Sequence, residues 1–407
     1  AYSELFTIRQ EERIAGEGVE STIYFDQDSL YHPSVNLRFE IPKGEVQLTR
    51  GQRGSDQNPF FSSVHQLNLE ADKLNYYIEK DSILIGEKSL VLNKSNKPVV
   101  FESLEYFNQS EYYRVQNIAT YNPIAVIKAV AEREGNVLEA DALASKMDSR
   151  FTVENIKGLI YDLVSQGFIN YDADKELILV KDKIFHYANA SQQKVDYDVL
   201  RIQSETGETN ATLNLKDRTI VTNGVSNIEF SRSRNVGIKP FGDQVVIKEN
   251  RDMELDGRLF AGKGMLTGKD YYFEYDRFQI IMDSVRYFDL FLETGNQKEG
   301  EEKERASIGS RIEHLEGVLL IDAPSNKSGS EQIEMFPSLQ SKDYSYVYYD
   351  RTETLNSVYK RDSFYFQLEP FSFNGLDRYK KEDLAFKGTL VSAEIFPDIQ
   401  ETLVLMD

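Results

Sequence analysis

Apolar and polar residues alternate along two long spans near the start of this 407-residue chain. From Thr22 to about Arg50 and from Val64 to Phe107 the alternation comes in short stretches, such as Val35-Asn36-Leu37-Arg38-Phe39-Glu40-Ile41 and Leu67-Asn68-Leu69-Glu70-Ala71. A period of two places every second side chain on one face of a strand and leaves the other face wet. Ser82-Ile83-Leu84-Ile85, Ser89-Leu90-Val91-Leu92 and Pro98-Val99-Val100-Phe101 follow at about eight-residue spacing, parted by Gly86-Glu87-Lys88 and Asn93-Lys94-Ser95-Asn96. That spacing predicts an antiparallel meander, a sandwich or a stacked β-layer.

The period changes at Asn122. Asn122 can cap a helix over about 123–134 with Pro123 at its first position, Ile124, Ile127, Val130 and Ala131 as its apolar stripe and Gly135 just past its end. Asn136 with Glu139 resembles a capping box for a second short helix through Met147. Thr152 can cap a third helix, in which Ile156, Ile160, Leu163 and Val164 share one face. Gly158 within it points to a close helix contact. Two alternating arms, Phe168-Ile169-Asn170-Tyr171 and Glu176-Leu177-Ile178-Leu179-Val180, flank the turn Asp172-Ala173-Asp174-Lys175. Three helices and a hairpin read as a winged helix.

After Ala190 the period of two returns, at Thr212 to Leu215, Val245 to Ile247, Met253 to Phe260, Tyr271 to Tyr275, Phe278 to Met282, Gly317 to Ile321, Tyr344 to Tyr349, Phe364 to Leu368 and Leu390 to Phe396. Two charged or Pro/Ser/Gly-rich stretches, near 294–311 and 322–332, read as exposed loops. The expected fold is therefore mainly β: antiparallel β-layers or jelly-roll-like sheets at 1–120 and 191–407, with a winged-helix-like α+β module at 121–190 between them.

Composition narrows the functional field. Lys plus Arg number 47 against 67 Asp plus Glu, a formal charge of −20, which repels phosphate backbones and anionic headgroups. The winged-helix segment 123–190 holds 8 basic and 11 acidic residues, and its third helix offers Glu154, Lys157 and Asp162, so a scaffold role is expected there and nucleic-acid binding is not. No apolar run nears the ~18 residues of a spanning helix, and the first thirty residues lack the regions of a signal peptide. The chain starts Ala1-Tyr2-Ser3-Glu4 and ends on Leu403-Val404-Leu405-Met406, which reads as a piece of something longer. With no Cys, thiolate nucleophiles, disulfides and zinc-thiolate sites are excluded. With no Trp, glycan binding is disfavoured, although 24 Tyr and 24 Phe are present.

Candidate chemistry is sparse. Gly262-Lys263-Gly264 and Gly268-Lys269 suggest a phosphate loop, but three residues separate the glycines where a Walker motif needs four, and Asp270 stands where Ser or Thr belongs. Turn or bulge glycines between strands are the expected reading. Asp26 with Asp28, and Asp172, Asp174 and Glu176, set carboxylates two apart, an arrangement that can gather oxygen ligands around a hard cation, but without the Gly and distant Glu of an EF-hand. Glu299, Glu301, Glu302 and Glu304 read as a solvated run. His32, His65, His186 and His314 are too scattered for a helix motif, and Ser307-Ile308-Gly309-Ser310 lacks the frame of a nucleophile elbow. Tyr76-Tyr77, Tyr112-Tyr113, Tyr271-Tyr272-Phe273 and Tyr344 to Tyr349 suit core and cross-strand ladders, or a protein-contact surface. No catalytic, cofactor or metal residue is assigned, and no enzymatic activity is expected.

The stretch Leu69-Glu70-Ala71-Asp72-Lys73-Leu74-Asn75-Tyr76-Tyr77 through Ser82-Ile83-Leu84-Ile85-Gly86 resembles a repeat of the lipopolysaccharide-transport (OstA-like) β-layer family, and Met253 to Gly264 leading into Tyr271-Tyr272-Phe273 is similar to a second copy. More broadly, Ile23-Tyr24-Phe25 with Ser29 to Pro33, Asn58 to Gln66, Val195 to Val199 and Phe386 to Pro397 resemble very large envelope proteins of Bacteroidetes without an assigned activity. The resemblance implies an exported, periplasmic or outer-membrane-associated segment of a longer chain, whose partners are other domains of that chain or other envelope proteins. The expected function is a non-catalytic structural or interaction segment. The alternative is a lipid or glycan carrier with a groove between its β-layers.

Overall fold

A computed structural model of the chain describes residues 1–3, 5–52, 54–86, 97–116, 121–293, 305–307, 309–350 and 358–405. The fold is mainly β and its long ladders are antiparallel, as the alternation predicts. The chain divides into two compact units, residues 1–226 with 246–251 and residues 227–245 with 252–407. The β-rich span expected at 191–407 is thus shared between both.

In the first unit the chain forms β1 (Phe6–Arg9), β2 (Arg13–Phe25), β3 (Asp28–Glu40), β4 (Glu45–Thr49), β5 (Phe60–Ser62), β6 (Leu67–Glu70), β7 (Lys73–Tyr77), β8 (Ser82–Ile85) and β9 (Val99–Ser103). Helices α1 (Gln109–Gln116) and α2 (Pro123–Glu134), strand β10 (Val137–Glu139), helices α3 (Ala140–Met147) and α4 (Val153–Ser165), strands β11 (Ile169–Asp172) and β12 (Leu177–Val180), and helix α5 (Asp182–Ala190) follow. Strands β13 (Arg201–Ser204), β14 (Ala211–Asn214) and β15 (Thr219–Thr222) complete it.

The ladder forks at β3. Its residues Asn36 to Glu40 pair with β4, whereas Leu30 and Tyr31 pair with β5. One arm continues β4, β7, β8, β14, β15, and the other β5, β6, β9, β13. Only Ala71 and Asp72 separate β6 in one arm from β7 in the other. At the fork, Pro33 withholds a backbone donor from β3, and β2 shifts register on both sides of Val19. The apolar positions of the alternation become the core: Leu48, Leu74, Ile83 and Ile85 of one arm and Phe60, Leu67, Leu69, Phe101 and Ile202 of the other are 2 % exposed or less.

The helical part follows the predicted plan with three differences. Asn122 does cap α2, its Oδ1 accepting the Ile124 N–H at 2.9 Å, and Gly135 takes a φ of 95° beyond the last turn. Residues 137–139, however, are not the first turn of a helix. They form β10, paired with Leu177 to Leu179 of β12, because Val137 and Leu138 complete a three-stranded sheet; the second helix begins only at Ala140. Gly158 is exposed, and a Cβ there would meet nothing within 4 Å, so no close contact explains it. Helices α1 and α5 were not foreseen; Ile184, Tyr187 and Ala188 of α5 join Ile124, Ile127, Ile160, Leu163 and Phe168 in one core.

In the second unit the strands are β16 (Ile228–Ser231), β17 (Val236–Pro240), β18 (Val245–Ile247), through which the division passes, β19 (Met253–Ala261), β20 (Gly264–Glu274), β21 (Gln279–Glu293), β22 (Arg305–Ser307) and β23 (Ile312–Leu320). After these come β24 (Ser338–Ser341), β25 (Ser345–Tyr348), β26 (Phe364–Leu368), β27 (Ser372–Phe373), β28 (Ala385–Ser392) and β29 (Ile399–Val404). Strands β16, β17, β19, β20, β21 and β23 are successive neighbours, and β23 forks as β3 does: Gly317 to Leu320 pair with β24 and Glu313 pairs with β25. The arms continue to β27 on one side and through β26, β28 and β29 on the other. Register shifts at Leu255/Gly257, Thr267/Gly268 and Met282/Val285 fall on neighbouring strands and bend them together.

Both expected loops need correction in part. Residues 305–307 pair with Phe291 to Glu293 as β22; residues 294–304 and Ile308, with the acidic run Glu299 to Glu304, lie outside the described residues. The stretch 322–332 is irregular but not simply exposed. Asp322 and Asn326 are buried, and Asp322 pairs with the fully buried Arg234 at 2.5 Å. Ser89 to Leu92 also lie outside the described residues.

Candidate functional site

The residues that suggested chemistry are held in structural roles. Gly262 turns the chain between β19 and β20 at a φ of 58°, Lys263 reaches the Tyr379 carbonyl at 3.2 Å, and Gly268 sits at the β20 bulge. Asp26 and Asp28 close the β2–β3 turn against a side chain, Arg218, at 2.9 and 3.6 Å. At the β11–β12 tip, the Asp172 carboxylate accepts the backbone N–H groups of Asp174 and Lys175 at 3.1 and 3.0 Å, as a turn residue does.

Three of the four histidines bind backbone carbonyls. The Nε2 of His32 lies 2.6 Å from the Asn58 carbonyl, that of His65 2.8 Å from the Arg218 carbonyl, and that of His186 2.9 Å from the Glu105 carbonyl. His65 Nδ1 also meets Ser62 Oγ at 2.7 Å, but both residues are fully buried, so this Ser–His pair faces no substrate. Burial drives the His32 pKa down to about 3 and that of His65 down to about 4. His314 is exposed and packs edge-on to Tyr346 and Tyr348.

The densest polar constellation was not foreseen. It lies where α1, α4 and α5 cover the strands β6, β9 and β13, in a cleft of about 290 Å³ lined by Arg50, Glu70, Glu102, Glu111, Arg114, Asp162, Ser165, Gln166, Lys183 and Arg201. Register builds its floor, since Arg201 stands directly opposite Glu102 across β13 and β9, and Glu102 opposite Asn68 across β9 and β6. All five residues of β9 are buried, so Glu102 points its charge into protein and needs a partner. Lys183 of α5 supplies one, bonding the Glu102 carboxylate and donating to the Gln166 carbonyl at 2.7 Å above the Phe168 ring. Arg201 donates from Nη1 to Glu111 of α1 at 3.1 Å and stands 3.6 Å from Glu102 and 3.7 Å from Glu70. Tyr187 OH donates to the other Glu111 oxygen at 3.4 Å, and Arg114 faces Asp162 at 3.6 Å.

Two charges in the cleft stay incompletely matched. Glu70 makes no side-chain hydrogen bond among the described residues, and burial, then the charge of Glu102, raise its pKa. Arg50 donates from Nη2 to the Gln57 carbonyl, but its buried Nε has no acceptor, and burial lowers its pKa. Arg201 Nε is likewise buried without a hydrogen-bond acceptor. Burial opposes the Arg201 charge, yet Glu102, Glu70 and Glu111 together hold its pKa above the usual arginine value. The sequence signal for this site was Glu102 itself, a carboxylate ending the apolar run Val99-Val100-Phe101; its partners lie in segments that only folding brings near.

A second feature is the pair of strands β1 and β29. Among the described residues each pairs on one side only, β1 with β2 and β29 with β28. Both neighbourhoods expose apolar side chains: Leu5 and Ile8 at 75 % and 68 %, and Ile395 and Phe396 at 61 % and 60 %. No helix among the described residues is long and apolar enough to cross a membrane. Set against protein-family models, curated proteins and solved structures, the chain matches none.

Proposed function

We propose that this chain is a non-catalytic, structural and interaction segment of a larger exported envelope protein, in which β-layers pair edge to edge with neighbouring β-layers. The observation that carries this reading is the exposed apolar character of the edges at β1 and β29. An open edge presents unpaired backbone groups to any passing strand, and proteins that remain alone blunt such edges with charge, proline or cover. Here Ile8 of β1 and Ile399 and Val404 of β29 stay exposed beside Arg9 and Glu401, with Leu5, Ile395 and Phe396 exposed just outside the two strands. The inserted helical part, with its helix–strand–helix–helix–hairpin order, is read as a winged-helix-like module serving as a scaffold. Lys183, His186 and Lys181 tie its last helix and that helix's start to Glu102, Glu105 and Asn58.

The carrier alternative would need an apolar trough between layers. In the first unit, Leu69, Leu74, Ile83, Ile85 and Phe101 occupy the core at 0 % exposure, which favours a filled sandwich over a conduit. Sedimentation of the purified chain across a concentration series tests the proposal. Wild-type protein should associate as concentration rises, and the double variant Ile8→Lys, Ile399→Lys should stay monomeric with an unchanged circular dichroism spectrum. A wild-type chain that stays monomeric throughout would overturn edge pairing, and stoichiometric co-purifying lipid detected by mass spectrometry would favour the carrier.

A further inference from the structure

We propose that the solvent face of strands β17, β19, β20 and β21 in the second unit docks a second copy of this chain, face to face about a two-fold axis, each copy setting a row of cations against the other's row of carboxylates. The inference does not rest on edge pairing, since it uses a sheet face and leaves both free edges unoccupied.

Register builds the two rows side by side. Lys239 stands directly opposite Arg258 across β17 and β19, Arg258 opposite Thr267 of β20, and Thr267 opposite Tyr287 of β21. Bulges then turn two successive residues of a strand to this face: Lys269 with Asp270, Asp283 with Ser284, and Arg286 with Tyr287, each pair bounded on both sides by buried residues. Lys239, Arg258 and Arg286 thus form one row, and Asp256, Asp270 and Asp283 form the other, one step along the strands. None of these six side chains makes an ion pair among the described residues, and all but Asp256 are exposed. Further across the same sheet, Arg311 is paired with Asp289 and Arg361 with Glu313. Lys239 against Arg258 is a cross-strand pair of like charges, which destabilises a sheet.

Charge complementarity selects the occupant. An anionic partner would be held by the first row and repelled by the second, and a cationic partner the reverse. Both rows are answered by a surface that carries the same two rows at the same spacing in the opposite order, and a second copy supplies it. A two-fold axis lying in the face, between the rows and across the strands, exchanges the rows and keeps each strand over its counterpart. Arg258, with Lys239 beside it, then meets Asp256, Arg286 meets Asp283, and Lys269 falls on the uncharged Thr267. On the flanks the half-buried Met265 comes opposite the half-buried Tyr272. Four strands span only ~15 Å at ~4.8 Å spacing, and each copy carries a net charge of −20. So small and polar a contact belongs to the weak, transient class, which cross-linking captures at concentrations where sedimentation still reports monomers.

Carbodiimide cross-linking of an equal mixture of unlabelled and isotope-labelled chain at ~0.15 M salt, followed by mass spectrometry, tests this in the wild-type and in the Ile8→Lys, Ile399→Lys background. Lys239 of one copy should join Asp256 of the other in both backgrounds, seen as mixed light and heavy peptides. Arg286→Glu and Asp283→Arg should each cut that product about tenfold or more by setting like charges face to face. Combining the two changes, in one chain or as an equal mixture of the single variants, should restore it. If no mixed product joins Lys239 to the acidic row in either background, the proposal fails. It fails equally if both single variants cross-link undiminished, or if the combination does not recover what each change lost. A product lost only in the Ile8→Lys, Ile399→Lys background would belong to edge pairing and overturn face docking. Should a charge variant misfold, the wild-type mixture in the two backgrounds still decides.

Discussion

His32 and His65 show how burial turns a titratable base into a conditional structural element. The Nε2–H of each is used on a backbone carbonyl, and Nδ1 accepts from the Ser34 N–H at 3.0 Å or the Ser62 hydroxyl at 2.7 Å. A second proton would therefore displace a donor. Their pKa values fall from 6.5 to about 3 and about 4 in the folded chain. The unfolded chain takes up these protons below pH 6.5 and the folded chain does not, so their contribution is intact above pH 6.5 and lost as pH falls towards 4 and then 3. Urea midpoints of the first unit should drop between pH 7 and pH 5, each histidine contributing up to ~1.4 kcal/mol per pH unit below 6.5. His65→Gln should flatten that slope, and a slope unchanged by the substitution would contradict the assignment. In the second unit, Arg234 relies on a buried partner. Its Nε meets Asp322 at 2.5 Å and its Nη2 donates to the Glu331 carbonyl at 3.2 Å, which fixes the stretch 322–332. Asp322→Ala strands a buried guanidinium and should cost ~3–5 kcal/mol, with faster proteolysis within 322–332 as the readout.

At the scale of the element, two glycines separate backbone demand from accident. At Gly268 a Cβ would stand 2.2 Å from the Ser284 carbonyl, so the bulge of β20 and the approach of β21 require a bare Cα. Gly158 lies exposed in mid-helix with open space around it. Gly268→Ala should lower the melting temperature, whereas Gly158→Ala should raise stability by up to ~1 kcal/mol, both measurable by thermal denaturation. The pattern of β-strands was legible because one face of each is buried, and a period of two records that directly. Helix α2 was legible because Asn122, Pro123 and Gly135 mark its ends. The strand β10 was not, since three residues are too few to show a period and Asn136 with Glu139 imitates a cap. Helix α5 was missed because Ile184, Tyr187 and Ala188 carry its apolar stripe over only two turns. The cleft was hidden for another reason: Glu70, Glu102, Glu111, Lys183 and Arg201 lie on five separate elements, and only the pairing of β6, β9 and β13 brings them together.

At the scale of the whole chain, a formal charge of −20 should govern encounters with polyanions. Retention on duplex DNA should be absent at physiological salt and should not appear when salt is lowered moderately, as electrophoretic mobility of a labelled duplex can check. Salt-sensitive retention would revive a reading role for α4. The placement of the helical part has a further consequence. The Ser103 N–H donates to the Leu200 carbonyl at 3.1 Å, and β9 and β13 are neighbours in the ladder. The chain therefore leaves the sheet and rejoins it at one point, with the helical part in between, tied back to the β-layers through Asn58, Glu102, Glu105 and Ser55. A tight turn could close the gap without rethreading a single strand, provided Ser55, Asn58, Glu102, Arg201 and the Glu105 carbonyl were given new counterparts.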